Sequence, residues 1–133
     1  LDEESVEILS CAPAGKFRVE VGLQSTNPAT LEAINRKLDV AKTLENTRRI
    51  YEAGRTLVHL DLIAGLPHEG YERFARSFDD AYGICDELQL GFLKILCGCE
   101  MERNAERYGI VYAEEAPYEV LKTKYISFST VMK

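Results

Sequence analysis

The sequence predicts an α/β fold: a partial (β/α) barrel of about three βα units, followed by a C-terminal α+β extension. Two observations predict it. Up to Leu96 the segments alternate as helix, strand, helix, strand, helix, strand, with connections as short as βα units use. The second strand, "LVHLDLIA" from Leu57 to Ala64, is apolar on both faces, as strands buried in a parallel sheet are. Parallel strands joined by right-handed crossovers follow from that order.

Each element has a local cause. Asp2 is placed to cap a helix over Asp2 to Ser10, with Val6 and Leu9 on one face. "FRVEVGL", Phe17 to Leu23, follows the turn-prone "APAG" and is rich enough in β-branched residues to form a strand. Asn27-Pro28 is an N-cap followed by proline at the first helical position. The helical pattern breaks near Asp39, resumes from Lys42 to Ala53, and stops at Gly54. Tyr71 to Ile84 is an amphipathic helix whose Phe74, Phe78 and Tyr82 recur at helical spacing, an arrangement expected of core residues. Leu88 to Leu96 is the third strand. Beyond Met101 the pattern changes: a short helix over Glu102 to Tyr108, two extended pieces around Pro117, and a last helix from Ser127. The expected division is 1–101 for the barrel portion and 102–133 for the start of the extension.

Composition narrows the function. The 133 residues carry 46% hydrophobic and 29% charged side chains and a net charge of −6, a soluble balance without the basic footprint of a nucleic-acid binder. No run spans a bilayer and the start is not a signal peptide, so a cytoplasmic location and an excised or processed piece of a longer protein are expected. The four cysteines, Cys11, Cys85, Cys97 and Cys99, lack the spacing of a disulfide framework. Cys97-Gly98-Cys99 has no second pair to complete a metal site, so two ordinary thiols are the simpler reading.

Ligands of parallel α/β sheets lie beyond the carboxyl ends of the strands. Strand alternation puts Glu20, Gly22 and Gln24 on one face and His59, Asp61, Ile63 and Gly65 on one face. Unpaired buried carboxylates are costly, so a polar inner face of Glu20, Gln24, His59 and Asp61 either meets a ligand or forms a hydrogen-bonded strut between strands. The residues alone leave both open.

"VEVGLQSTNPATLEAINRK", "HLDLIAGLPHEGYERFARSFDDAY" and "LQLGFLKIL" together resemble the second half of the core of radical S-adenosylmethionine (radical SAM) enzymes. The branch that includes oxygen-independent coproporphyrinogen III oxidases, methylthiotransferases and cobalamin-binding members is the one most similar. The motifs are Gly22-Leu23-Gln24-Ser25, Asn35-Arg36 and Asp61 through Pro67. The tail "YGIVYAEEAPYEVLKTKYIS" resembles an uncharacterised extension of some cobalamin-domain members. The resemblance implies an enzyme that reductively cleaves S-adenosylmethionine to a 5′-deoxyadenosyl radical for hydrogen abstraction, with a [4Fe–4S] cluster and, in some members, cobalamin. It places Gln24 and Asp61 at the ribose and methionine of the cofactor, Asp61 accepting from ribose hydroxyls. Arg36 would pair with the methionine carboxylate, and Ser25 is a further contact. Ile63 and the Gly65-Leu66 backbone would border the adenine, with backbone edges from Phe92 to Lys94. His68 stands where many relatives have glycine, which implies a differently shaped loop.

Departures from the family pattern are as informative. The Cys-x3-Cys-x2-Cys motif and the Gly-Gly-Glu segment are missing from these residues, so the chain alone is expected to be inactive. Two rival readings stand beside the family one: a non-catalytic α/β assembly module, and a barrel using Glu20 and Asp61 as acid and base. An open strand edge over Phe17 to Leu23 further predicts self-association. The substrate is not readable, and nothing points to a nucleic acid or a membrane as partner.

Overall fold

A computed structural model describes residues 1–131. Three parallel strands form its centre: β1 (Arg18–Gln24), β2 (Leu57–Ala64) and β3 (Glu87–Phe92), in the spatial order β1-β2-β3. The register sets Glu20 beside His59 and His59 beside Glu87; one step further along, Gly22 lies beside Asp61 and Asp61 beside Gln89.

Helices cover one side only. α1 (Glu3–Cys11) is capped by Asp2, which accepts from the Ser5 N–H at 2.8 Å. α2 (Pro28–Ala33) is capped by Asn27, and α3 (Val40–Ala53) by Asp39, with Gly54 closing it in the left-handed conformation. α4 (Tyr71–Ala81) crosses between β2 and β3. Val58, Leu60 and Leu62 alternate inward beneath these helices: Val58 joins Val6 and Ile50, while Leu60 and Leu62 join Leu23, Ala81 and Ile84. The odd residues of β2 therefore face the other way. That side carries no helix, and it is the side that matters for function.

Past β3 come α5 (Glu100–Arg103), α6 (Ala105–Tyr108), the antiparallel pair β4 (Val111–Tyr112) and β5 (Val120–Lys122), and α7 (Phe128–Val131). They build a second small core of Ile95, Ala105, Tyr108, Ile110 and Val120.

Three expectations need correction. The α4 helix stops at Ala81, because Tyr82 turns extended and Gly83 takes a positive φ of 84°. Tyr82 is 71% exposed and only stacks on Phe78, so the aromatic stripe is core at Phe74 and Phe78 but not at its end. The third strand ends at Phe92, since the following residues turn to the extension: Lys94 bridges Glu119, and Leu93 O accepts from the Val120 N–H. The helix expected over Glu102 to Tyr108 is two single-turn helices parted at Asn104.

Candidate functional site

The helix-free side of the sheet carries Arg18, Glu20 and Gly22 from β1, His59, Asp61 and Ile63 from β2, and Glu87, Gln89 and Gly91 from β3. Parity puts them there, as the sequence pattern predicts for Glu20, His59 and Asp61. The arrangement divides into two levels along the strands.

The lower level is a charged strut. Arg18 pairs with Glu87 across the full width of the sheet and donates to His59 Nδ1 at 2.9 Å. Glu87 lies 3.7 Å from the same nitrogen. Arg18 and Glu87 both escape the sequence reading, which begins the third strand one residue late. The alternation that places Glu20 and Gly22 also places Arg18, so parity was the signal that could have found it.

At the upper level, towards the strand ends, the side chains leave room. Gly22 has no side chain; a Cβ there would stand 2.9 Å from Gln24 Nε2 and 3.3 Å from an Arg36 nitrogen. Gln24, in a positive-φ conformation at an irregularity in β1, thus folds back over Gly22, and Arg36 donates to the Gly22 carbonyl from the far side. Asp61 flanks the same residue on β2 with only 15% of its side chain exposed. Its Oδ1 is buried without a hydrogen bond; His59 Nε2 is 3.2 Å away but off the line of one. A buried carboxylate oxygen without a donor costs free energy unless something else supplies one. Ile63 continues the row opposite Gly91, and Gly65 turns the chain at φ 90° with Leu93 Cβ at 3.6 Å from where its own Cβ would be. Gln24 and Arg36 therefore close over Gly22, which Asp61 flanks in the register, and Ile63 and Gly65 follow Asp61 along β2.

Ser25 does not join them. It is fully buried, and its hydroxyl donates to Glu69 Oε1 at 2.6 Å and accepts from the Asn27 N–H at 2.9 Å. In this structure the Ser25 hydroxyl serves as a clamp between the loops leaving β1 and β2. Glu69, which the sequence reading missed, is the centre of that clamp: it is 0% exposed, receives Ser77 Oγ at 3.3 Å as well, and leaves Oε2 without a partner. Burial pushes its carboxyl up from the ordinary range, against the hydrogen bonds from Ser25 and Ser77 and the charge of Arg73. Its partners stand 44 and 8 residues away, so no local spacing signals it.

The expected backbone edge at Phe92 to Lys94 is also partly committed: the Leu93 N–H donates to Ala64 O, and its carbonyl accepts from Val120. His68 adopts a left-handed φ of +61°, the region that favours glycine. Its side chain lies against Tyr108 and Tyr125, with Nδ1 3.1 Å from the Tyr125 hydroxyl, and ties the loop to the extension.

A separate apolar cavity of about 170 Å³ lies at the helix-bearing side of the sheet end, lined by Ala64, Phe74, Leu90, Phe92, Val120 and Ile126 among others. Of the predicted residues Gly65, Phe92 and Leu93 reach it, and it offers little to a polar ligand.

The niche fits S-adenosylmethionine in chemical terms. Asp61 offers an unsatisfied acceptor for hydroxyls and Arg36 a guanidinium for a carboxylate, and the flexible ends of Gln24 and Arg36 now lie over Gly22. An iron–sulfur cluster has no such fit. All four cysteines are free thiols, Cys99 serves as the cap of α5 through the Glu102 N–H, and no group of three His, Cys, Asp or Glu able to hold a metal occurs among the described residues.

Comparison with known proteins bears on these observations. Residues 1–81 match the model of the radical SAM superfamily, and residues 106–133 match that of a family of unknown function, DUF4080. The oxygen-independent coproporphyrinogen-III oxidase-like protein HemZ of Bacillus subtilis is 32% identical over 99 residues, 74% of this chain and 20% of the relative. The oxygen-independent coproporphyrinogen III oxidase of Pseudomonas aeruginosa is 39% identical over 74 residues, 53% of this chain and 15% of the relative. The chain thus spans a fifth or less of the length of these curated relatives. Among solved structures, the coproporphyrinogen III oxidase of Escherichia coli, described as a radical SAM enzyme, superposes with a TM-score of 0.61 at 25% identity, over 72% of this chain and 22% of that one. The three parallel strands and their helices are accordingly part of a TIM-like barrel, and the chain belongs to the radical SAM superfamily.

Proposed function

We propose that this chain supplies part of the S-adenosylmethionine pocket of a radical SAM enzyme related to the coproporphyrinogen III oxidases. The observation that carries the reading is the buried, unpartnered Asp61 Oδ1 beside the bare Gly22, with Gln24 and Arg36 closing over the same residue. It lies at the carboxyl end of parallel strands, where ligands of such sheets bind.

Each residue has a task. Asp61 accepts from the ribose hydroxyls, and its burial keeps water from competing. Arg36 steadies the methionine carboxylate, a charge-assisted contact to which a planar guanidinium is suited. Gln24 closes the niche over Gly22, and Ile63 with the Gly65 turn gives the adenine an apolar edge. Bound S-adenosylmethionine would supply the hydrogen-abstracting chemistry of the family. The residues present do not hold an iron–sulfur cluster, so no step is assigned to it here, and the 133 residues alone are proposed to be inactive. The cobalamin suggested by the resemblance finds no support in the comparisons and is not carried into this reading.

A structural strut accounts for part of the lower level, where Arg18 pairs with Glu87 and donates to His59 Nδ1. It does not account for Asp61 Oδ1. No helix of the described residues is long and apolar enough to cross a membrane.

The test uses the polypeptide that carries this chain together with a cluster motif, reconstituted anaerobically with iron, sulfide and reductant. It should release 5′-deoxyadenosine from S-adenosylmethionine, and coproporphyrinogen III, the substrate in the relatives' names, is the first to try. In it, Asp61→Ala should weaken S-adenosylmethionine binding while leaving the cluster absorbance intact; unchanged affinity rejects the role given to Asp61.

A further inference from the structure

His59 lies one step below Asp61 on the same face of β2, 14% exposed, with Nδ1 bonded and Nε2 buried without a partner. Nδ1 sits 2.9 Å from an Arg18 guanidinium nitrogen. A guanidinium has donors and no acceptor, so Nδ1 must be the accepting nitrogen and the ring proton belongs on Nε2. Glu87 does not alter this: it is an acceptor too, it lies 3.7 Å from Nδ1, and its charge is met by Arg18. Nε2, so protonated, stands 3.2 Å from Asp61 Oδ1, off the line of a hydrogen bond in this conformation. Both atoms are buried and neither has any other partner. A small turn of the carboxylate about its soft terminal torsion aligns the pair.

We infer that His59 is a positioning residue: with its tautomer set by Arg18, it holds Oδ1 of Asp61 and thereby turns the second carboxylate oxygen towards the ligand. This rests on the S-adenosylmethionine pocket proposed above. It joins the two levels of the inner face. The strut at the bottom of the sheet is the device that orients the acceptor at the top, by the logic through which outer partners orient ligand-holding side chains elsewhere. His59 touches no ligand in this scheme.

Two measurements test it on the full protein. Ring-¹⁵N labelling reads the histidine tautomers, and the His59 signal is assigned by its disappearance in His59→Leu. The His59 signal should show the Nε2–H tautomer, and Arg18→Met should let the Nδ1–H form appear. An Nδ1–H tautomer in the unsubstituted protein overturns the inference. Isothermal titration with S-adenosylmethionine is the second. His59→Leu should raise Kd roughly tenfold, the scale of one hydrogen bond to a charged group, with cluster absorbance unchanged. His59→Gln, whose amide can donate at a similar reach, should recover most of the affinity, a rescue that lost packing would not show. If His59→Leu binds as tightly as the unsubstituted protein while Asp61→Ala does not, the relay is wrong and the pocket stands. If Asp61→Ala also binds normally, the pocket reading itself has failed.

Discussion

Ser25 and Glu69 meet through a 2.6 Å hydrogen bond in the fully buried space between the loops that leave β1 and β2. Ser77 of α4 and the Thr26 hydroxyl continue the network, and Thr26 reaches Asp80 at 2.8 Å and Arg73 at 3.1 Å. The loops are therefore fastened to each other and to α4 without any ligand. Removing the Ser25 hydroxyl leaves a buried carboxyl short of a donor, so Ser25→Ala should cost about 1–3 kcal/mol in denaturant unfolding.

Glu69 gives this clamp a pH dependence of definite sign. Burial raises its folded-state pKa above the unfolded value, so its contribution is fully present below the unfolded pKa and is lost as pH rises through the folded one. Glu69→Gln keeps an acceptor for Ser25 and cannot ionise. The variant should match the unsubstituted protein in acid and become the more stable of the two as pH rises towards neutral. Paired unfolding curves across that range measure it; a stability difference that does not change with pH rejects the assignment.

Gly22→Ala is the most direct probe of the niche. Its backbone is not in a region reserved for glycine, but the new Cβ would stand 2.9 Å from Gln24 Nε2 and 3.3 Å from an Arg36 nitrogen. Both are the ends of flexible side chains and can move. The expected outcome is a protein with nearly unchanged melting temperature and weaker S-adenosylmethionine binding by titration.

The extension depends on a different glycine. Gly109 ends α6 at φ +59°, and a Cβ there would sit 2.7 Å from Lys124 Cγ. Gly109→Ala should destabilise by about 1–2 kcal/mol from the left-handed backbone alone. Hydrogen exchange should locate the loss around Ala105 to Ile110 and Lys124, whose N–H is held by Tyr108 O at 3.0 Å.

Among the described residues β1 pairs only with β2, so its outer edge is unpaired and Phe17 beside it is 49% exposed. The isolated 133-residue chain should associate through this edge, with a light-scattering mass that rises with concentration. A constant monomer mass at high concentration would count against it.

What could be read from the sequence was whatever depends on short-range period. The apolar run of β2 gave its bounds and two-residue parity put His59 and Asp61 on one face, and the caps Asp2, Asn27 and Gly54 act where their chemistry says. What could not be read depends on partners far apart in the chain. Glu69 appears as one more carboxylate in a loop until Ser25 and Ser77 are brought to it. The early end of β3 has a similar cause: "FLKIL" has strand propensity throughout, yet its second half is claimed by residues near Glu119. Tyr82 keeps the i+4 spacing of a core residue but lies beyond the point where Gly83 takes the chain out of the helix.

The single strand β2 serves the helix-side core with Val58, Leu60 and Leu62 and the open face with His59 and Asp61. Saturation mutagenesis along it should yield two interleaved phenotypes. Polar substitutions at even positions should deplete the folded protein from cells, whereas substitutions at 59 and 61 should leave abundance near normal and lower turnover, most at 61. Abundance and activity plotted along these residues would then oscillate out of phase with a period of two.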